Sequence, residues 1–302
     1  MTWQARAINR VCRLTIRRAF AGRGEPQSAR KTLERLTALL FRPPPLSLVQ
    51  PGAVGGLPGL WISCQPRTDA VVLYFHGGAY MFGSPKTHAA MLAGLAARSG
   101  GQVFAPQYRL APEHAFPAAF DDAVAAWEGL LALGYDPRKI VIGGDSAGGG
   151  LALALLAHLL ATGQNPAGLF AWSPWTDLTL SGASLVTNAA REHILAAHRF
   201  TEARATILGG AKPQDAADPR LSPFYASFPS PPPVRIYVAE TEILRDDSLR
   251  MRSRLPDAEI RLLGDLPHVW PLFHNTMPEA RETLDETAAF IHSCLIQSSD
   301  ES

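Results

Sequence analysis

The stretch "KIVIGGDSAGGGLALALLAHLL", residues 139–160, decides the fold. It opens with a short β-rich apolar run, 139–144, and closes in an alanine- and leucine-rich segment of helical character, 147–162. Ser146 stands among glycines at the joint. A sharp strand-to-helix turn forces such a serine into a strained backbone conformation, and only small neighbours leave it room. The helix N-terminus behind it favours negative charge. "GDSAG", Gly144 to Gly148, therefore fits G-x-S-x-G in the strand–turn–helix context of a nucleophile elbow. Phosphate cradling is the rival use of a glycine-rich turn, but the G-K-[ST] of a P-loop is absent.

Around this joint the chain alternates two kinds of segment. Apolar β-rich runs occur at 70–75, 101–106, 139–144, 169–174, 234–239 and 259–263, with helical stretches near 86–99, 119–133, 147–162, 246–254 and 278–296. Such alternation predicts an α/β fold, a mostly parallel sheet covered by helices on both faces. Nearly continuous apolarity in the runs agrees with burial on both sides. Residues 1–45 read as helical and end at "RPPP", a stiff connector that cannot continue a helix. A second helical block, 183–222, interrupts one expected βα crossover. The two together are expected to form a cap, leaving 46–302 as the main domain.

A chain of 302 residues, 47% hydrophobic, can bury a large core. Its net charge of +1 gives no reason to expect nucleic acid as a partner. Cys12, Cys64 and Cys294 are scattered and odd in number, which argues against a disulfide framework, and no C-x-x-C pair suggests a metal. No apolar run is long enough for stable membrane insertion. At the N-terminus Arg6, Arg10, Arg13 and Arg17 share one helical stripe, while Trp3, Ala7, Val11 and Leu14 share another face. The expectation is a helix packed over the domain with its arginines in solvent; a membrane-surface helix or a transit peptide is the alternative. No secretory h-region follows, so a cytoplasmic location is expected.

"YFHGGAYMFGS", 74–84, directly follows the run at 70–75. His-Gly-Gly here frees backbone N–H groups to face an oxyanion, with Gly78 and Ala79 as donors, Gly77 keeping the loop tight and Ala147 adding a third N–H. Serine needs a base, and the base needs an acid to fix its tautomer. The order Ser, acid, His suits this architecture. Of the histidines beyond Ser146, His158 lies inside the next helix, His193 and His198 in the cap, and His274 and His292 in or near the closing helix. That leaves His268, in the loop "GDLPHVWP" past the last run. After the run at 234–239 the candidates are Glu240, Glu242, Asp246 and Asp247. Glu240 belongs to the strand edge, and Asp246 and Asp247 suit the start of the next helix, so Glu242 is the expected acid.

"HGGAY", "YRLAPEHAFPAAFDDA" (108–123), "GDSAGGGLA", "SPWTDLT" (173–179) and the late "EILRDDS … PHVW" follow one another in this chain. With these blocks the chain, from about residue 45 to 296, resembles the hormone-sensitive-lipase branch (family IV) of the α/β-hydrolases, the small bacterial carboxylesterases. The resemblance implies an α/β-hydrolase fold with a central sheet of eight strands, a helical cap, no cofactor and no metal. It also implies hydrolysis of short-chain acyl esters. Here Ala79 replaces the third glycine of H-G-G-G, which keeps its N–H but is strained if φ is positive. "EILRD" stands for D-P-L-R-D and, in register, puts Glu242 at the acid position. "HVW" stands for H-G-F and brings Trp270 towards the expected site.

The expected enzyme is a serine carboxylesterase working through Ser146, His268 and Glu242, with an oxyanion hole from the Gly77–Ala79 loop and Ala147. Tyr80, Phe82, Trp175 and Trp270 are expected to line the pocket; they could equally be core. Glu113, His114 and Asp121 are expected to brace nearby loops. A lactone or amide hydrolase would use the same triad, and a silent small-molecule receptor could use the same scaffold. The expected partner is a small acyl ester, and a homodimer stays open.

Overall fold

A computed structural model of the chain describes residues 1–22, 26–65, 69–210 and 212–300; residues 23–25 and 211 of the expected cap lie outside them. Two strands unannounced by any apolar run come first, β1 (Leu48–Val54) and β2 (Leu57–Ser63). They pair antiparallel about a turn at Gly55 and Gly56, whose φ values of 59° and 78° are those a tight hairpin needs. β1 carries Pro51 and Gly52, which hide it from a propensity reading, yet Pro is tolerated there because β1 is the sheet edge.

The remaining strands form where the six runs were read: β3 (Val71–Phe75), β4 (Gln102–Pro106), β5 (Ile140–Asp145), β6 (Gly168–Trp172), β7 (Val234–Ala239) and β8 (Glu259–Leu263). The eight-stranded sheet has the order β1-β2-β4-β3-β5-β6-β7-β8, parallel from β4 onward. β3, β4, β5 and β6 are buried along their whole length, so their apolar runs serve both faces at once. Three helices come first in the chain, α1 (Trp3–Leu14), α2 (Ile16–Ala21) and α3 (Pro26–Leu40). α4 (Pro85–Ser99), α5 (Ala118–Ala132) and α6 (Ser146–Ala161) are the first crossover helices. α7 (Ser184–Thr187) and α8 (Phe200–Leu208) belong to the inserted block; α9 (Arg245–Arg250) and α10 (Pro278–Asp300) complete the chain. One core joins α5 and α6 to one face of the sheet, with Phe200, Ile207 and Leu208 of α8 added to it. The other joins α4 and α10 to the opposite face.

α1 packs differently from the expectation. Ala5, Asn9 and Cys12 are its buried residues, and Trp3, Ala7, Val11 and Leu14 face solvent. Asn9 Nδ2 donates to Asp265 O at 2.9 Å, which turns a polar residue inward. The arginines are not all in solvent either. Arg13 donates to Arg191 O (2.9 Å), and Arg17 to Ala189 O (2.7 Å) and Glu192 O (3.1 Å), so the N-terminal helices are fastened to the inserted block. Arg30 of α3 reaches Met81 O and Ala111 O, both at 2.7 Å, and pairs with Glu113 at 2.9 Å. That pairing, led by the hydrogen bond from Arg30, draws the Glu113 carboxyl down to about 2. Among the described residues no helix is long and apolar enough to cross a membrane.

The hairpin turn docks directly on α5. A Cβ at Gly129 would run into the backbone N of Gly55. Gly129→Ala is therefore expected to destabilise the fold by about 1–3 kcal/mol, as overpacking does. Urea unfolding checks this: an unchanged midpoint would mean that the hairpin can back away freely.

Candidate active site

The five segments that meet at the site all leave the carboxyl ends of parallel strands, which is where open α/β sheets gather their chemistry. Register brings them together. Phe75 pairs with Gly144 and Asp145 with Trp172, so the 76–82 loop, Ser146 and Ser173 emerge side by side. Ala239 pairs with Leu263, which sets the loops carrying Glu242 and His268 next to each other.

Ser146 has φ 51°, the left-handed region that a serine adopts only under constraint. The turn is held from both sides. Trp175 N–H donates to Ser146 O at 2.9 Å, and Gly148 lies so close to Phe75 O that a Cβ there would collide with it. Ser146 Oγ is 2.9 Å from His268 Nε2, and His268 Nδ1 is 2.6 Å from Glu242 Oε2. All three side chains are buried. The other oxygen of Glu242 accepts from Ala239 N–H (2.7 Å) and Ser173 Oγ (2.9 Å), which leaves Oε2 aimed at the imidazole. Burial by itself would lower the His268 pKa; the hydrogen bond and charge of Glu242 outweigh it and hold the ring above its usual 6.5.

The expected oxyanion loop needs one correction. Gly77 N–H donates to Asp145 Oδ1 at 2.9 Å, so it is spent on the scaffold and is not available to a ligand. Gly78, Ala79 and Ala147 supply the remaining N–H groups, Ala147 from the first turn of α6, where helical N–H groups have no internal partner. Gly78 O accepts from Met81 N–H (3.0 Å) and Phe82 N–H (2.8 Å), which folds the loop back on itself. Ala79 takes φ 52° and Tyr80 φ 55°, so the third position does demand the left-handed region and alanine fills it under strain.

Of the four expected pocket residues, Tyr80 alone lines either of the two cavities found nearby. It borders a space of about 10 Å³ with Leu151, Phe116, Phe120, Ile207 and Leu221. Its buried hydroxyl has no hydrogen-bond partner among the described residues. Phe82 is partly buried against the core. Trp175 is core: it packs on Phe200 with ring centroids 4.8 Å apart and bonds Asp177 O. Trp270 is also core and lies on the opposite face of the sheet, donating to Thr283 Oγ1 at 2.8 Å. It follows Val269, whose φ of 52° turns the chain away directly after His268. A second, polar cavity of about 310 Å³ lies between α3 and the 107–114 loop.

Three residues that hold the site escaped the sequence reading. Asp145, next to the serine, is buried and accepts from Tyr74 Oη (2.6 Å) as well as Gly77 N–H, with His88 Nε2 at 3.2 Å. Burial opposes its charge, yet His88 and Tyr74 keep its carboxyl below the usual range. Ser173 has φ 51°, donates to Glu242 and accepts from Val269 N–H at 3.2 Å, so it bridges Glu242 and the residue after His268. Glu192 accepts from His193, Ile194 and Leu195 N–H through one oxygen and from Ile243 N–H (3.0 Å) through the other. The brace expected at Asp121 is its neighbour Asp122, which accepts from Arg109 N–H at 2.7 Å and from its guanidinium. Glu113 does brace, through Arg30.

A family profile described as the alpha/beta hydrolase fold matches residues 72–272. An acetyl-hydrolase of Streptomyces hygroscopicus is 35% identical over 81% of this chain and 84% of its own length. An esterase of Acinetobacter venetianus is 32% identical over 96% of this chain and 97% of its own. The crystal structure of an esterase from the bacterial hormone-sensitive lipase family superposes with a TM-score of 0.90 at 34% identity, over 98% of this chain and 99% of that one. The chain belongs to the α/β-hydrolase fold family, in its bacterial hormone-sensitive-lipase branch of carboxylic ester hydrolases.

Because Ala79 contributes a backbone N–H and is strained by its Cβ, Ala79→Gly keeps the donor and removes the strain. Ester turnover within about twofold is expected, with stability unchanged or higher by up to about 1 kcal/mol. A large loss of turnover would show that the methyl group itself shapes the site.

Proposed function

We propose that the chain is a serine carboxylesterase acting on short-chain acyl esters. Ser146 is the nucleophile, His268 the general base and then acid, and Glu242 the acid that fixes the imidazole tautomer. The continuous hydrogen-bonded series Ser146–His268–Glu242, closed to solvent, carries this reading. As Oγ attacks the ester carbonyl, His268 Nε2 takes its proton and the imidazolium is stabilised by Glu242. The developing oxyanion is held by the N–H groups of Gly78, Ala79 and Ala147, and the dipole of α6 adds to that field. The alcohol leaves with the proton from His268. Water, deprotonated by the same ring, then hydrolyses the acyl-enzyme.

The short-chain preference is supported by the similarity to the acetyl-hydrolase of Streptomyces hygroscopicus, whose name gives a two-carbon acyl group. The reading of the N-terminal helices and the inserted block as a cap is supported by the Arg13 and Arg17 hydrogen bonds, which join α1 and α2 to that block, and by Arg30, which ties α3 to Met81 O beside the oxyanion loop.

Rates on p-nitrophenyl acetate, butyrate, octanoate and palmitate, with Ser146→Ala alongside, test the proposal. Acetate and butyrate are expected to be the best substrates, and Ser146→Ala to lower turnover by at least about 10⁴-fold. Highest turnover on palmitate would overturn the short-chain reading; serine-independent turnover would overturn the mechanism.

The pH dependence is set by His268, which must be neutral to accept the proton. Its pKa is raised above 6.5 by Glu242, so kcat/KM is expected to fall as pH drops through a value above 6.5. Glu242→Gln removes the charge that raises it. The acid limb should then move to lower pH while kcat falls about 10³–10⁴-fold. A limb that stays in place would assign the orienting role to another group.

A further inference from the structure

The one face of α1 that sequence patterning marks as apolar is the face the fold leaves uncovered. Trp3 is 69% exposed, Val11 56% and Leu14 48%, with Ala7 between them also exposed. Alongside this ridge run Arg6 and Arg10, both exposed, and Arg18 extends the charge into α2. The first 24 residues contain six arginines and no Asp or Glu. Glu279, the carboxylate that touches the start of α1, is occupied by the Thr2 N–H (2.6 Å) and hydroxyl (3.0 Å). The basic charge is thus uncompensated on the outer side.

The end of α3 adds apolar surface next to it. Leu36, Leu39 and Leu40 are 49%, 75% and 65% exposed, and the chain beyond them is fixed where Arg42 pairs with Asn275 through both its N–H and its C=O. Asn275 and Glu279 belong to one short segment, so the start of α1 and the end of α3 are anchored to the same place.

We propose that this face is a docking surface for an anionic lipid bilayer, on which α1 lies in the plane of the headgroups. Trp3, Val11 and Leu14 enter the acyl boundary, and Arg6, Arg10 and Arg18 meet lipid phosphates, the chemistry that an amphipathic basic helix recognises. A second copy of the chain fits the face less well. A second copy would present a stretch that is itself basic, with six arginines and no Asp or Glu in its first 24 residues, and so offers no complementary charge. The proposal does not depend on the catalytic reading of Ser146, since vesicle binding is measured without turnover.

Co-sedimentation of the full chain with phosphatidylglycerol and with phosphatidylcholine vesicles tests it, with unfolding midpoints confirming that each variant is folded. Binding to the anionic vesicles is expected, weakened by about tenfold or more in either Arg6→Ser/Arg10→Ser or Trp3→Ser/Leu14→Ser, and screened by salt. Trp127, Trp172, Trp175 and Trp270 are fully buried, so brominated acyl chains should quench a fluorescence component that Trp3→Phe removes. Equal or absent binding to both vesicle types would overturn the proposal. A concentration-dependent dimer abolished by Trp3→Ser/Leu14→Ser would also overturn it, and would give the face to a second copy.

Discussion

The site depends on one backbone constraint, the left-handed conformation of Ser146 where β5 passes into α6. A serine does not rest there unless its surroundings leave no alternative. Here the surroundings are the burial of β5 between β3 and β6, the contact of Gly148 with Phe75 O, and the Trp175 N–H that fixes Ser146 O. The strain lifts Oγ above the sheet's carboxyl edge, within reach of an imidazole coming from beyond β8. Ser173, next to it in register, repeats the device at φ 51°, and Val269 at 52° does so after the base. Two neighbouring strands, β5 and β6, therefore end in the same uncommon turn, and the loop beyond β8 repeats it directly after His268.

Charge is organised around the same point. Asp145, one residue before the serine, puts a buried carboxylate beneath the oxyanion loop and fixes Gly77 with it. His76, in that loop, stacks on Tyr108 with centroids 4.4 Å apart and is lowered by burial to about 3, so it stays neutral beside the site. A cation there would favour an oxyanion but would also need hydration that the loop excludes. The arrangement leaves His268, itself held by Glu242, as the imidazole that meets Ser146 Oγ.

Much of this was legible in the sequence, because strong local signals act where the sheet is buried on both sides. The runs around Val71, Ile140 and Val234 could be little else than strands, and the G-x-S-x-G turn gives Ser146 an address. Glu242 and His268 followed from their distances past β7 and β8. What stayed hidden is what only tertiary contact decides. β1 and β2 are half-exposed and carry Pro and Gly, so pairing and not propensity makes them strands. Trp270 and Trp175 lie near Ser146 in sequence logic, yet the direction of a side chain after a left-handed residue cannot be read from spacing. α1 shows the same limit. Its periodicity marks an apolar face, but Asn9 finds a backbone carbonyl and Cys12 finds burial, and the helix rotates to suit them. The roles of Ser173 and Glu192 have no motif at all; each is a polar residue whose meaning lies in its partners.

Glu192 joins two parts of the molecule that are usually considered apart. One of its oxygens gathers the backbone of the inserted block, and the other holds Ile243, the residue after Glu242. Its own carbonyl receives Arg17 of the N-terminal helices. The inserted block and the loop carrying Glu242 therefore share one buried carboxylate. A shift of the inserted block is transmitted through Glu192 to Ile243, one residue from Glu242. Trimming the N-terminal helices would thus not simply unroof the site. It would also release one restraint on Glu192, and with it some definition in the position of Glu242.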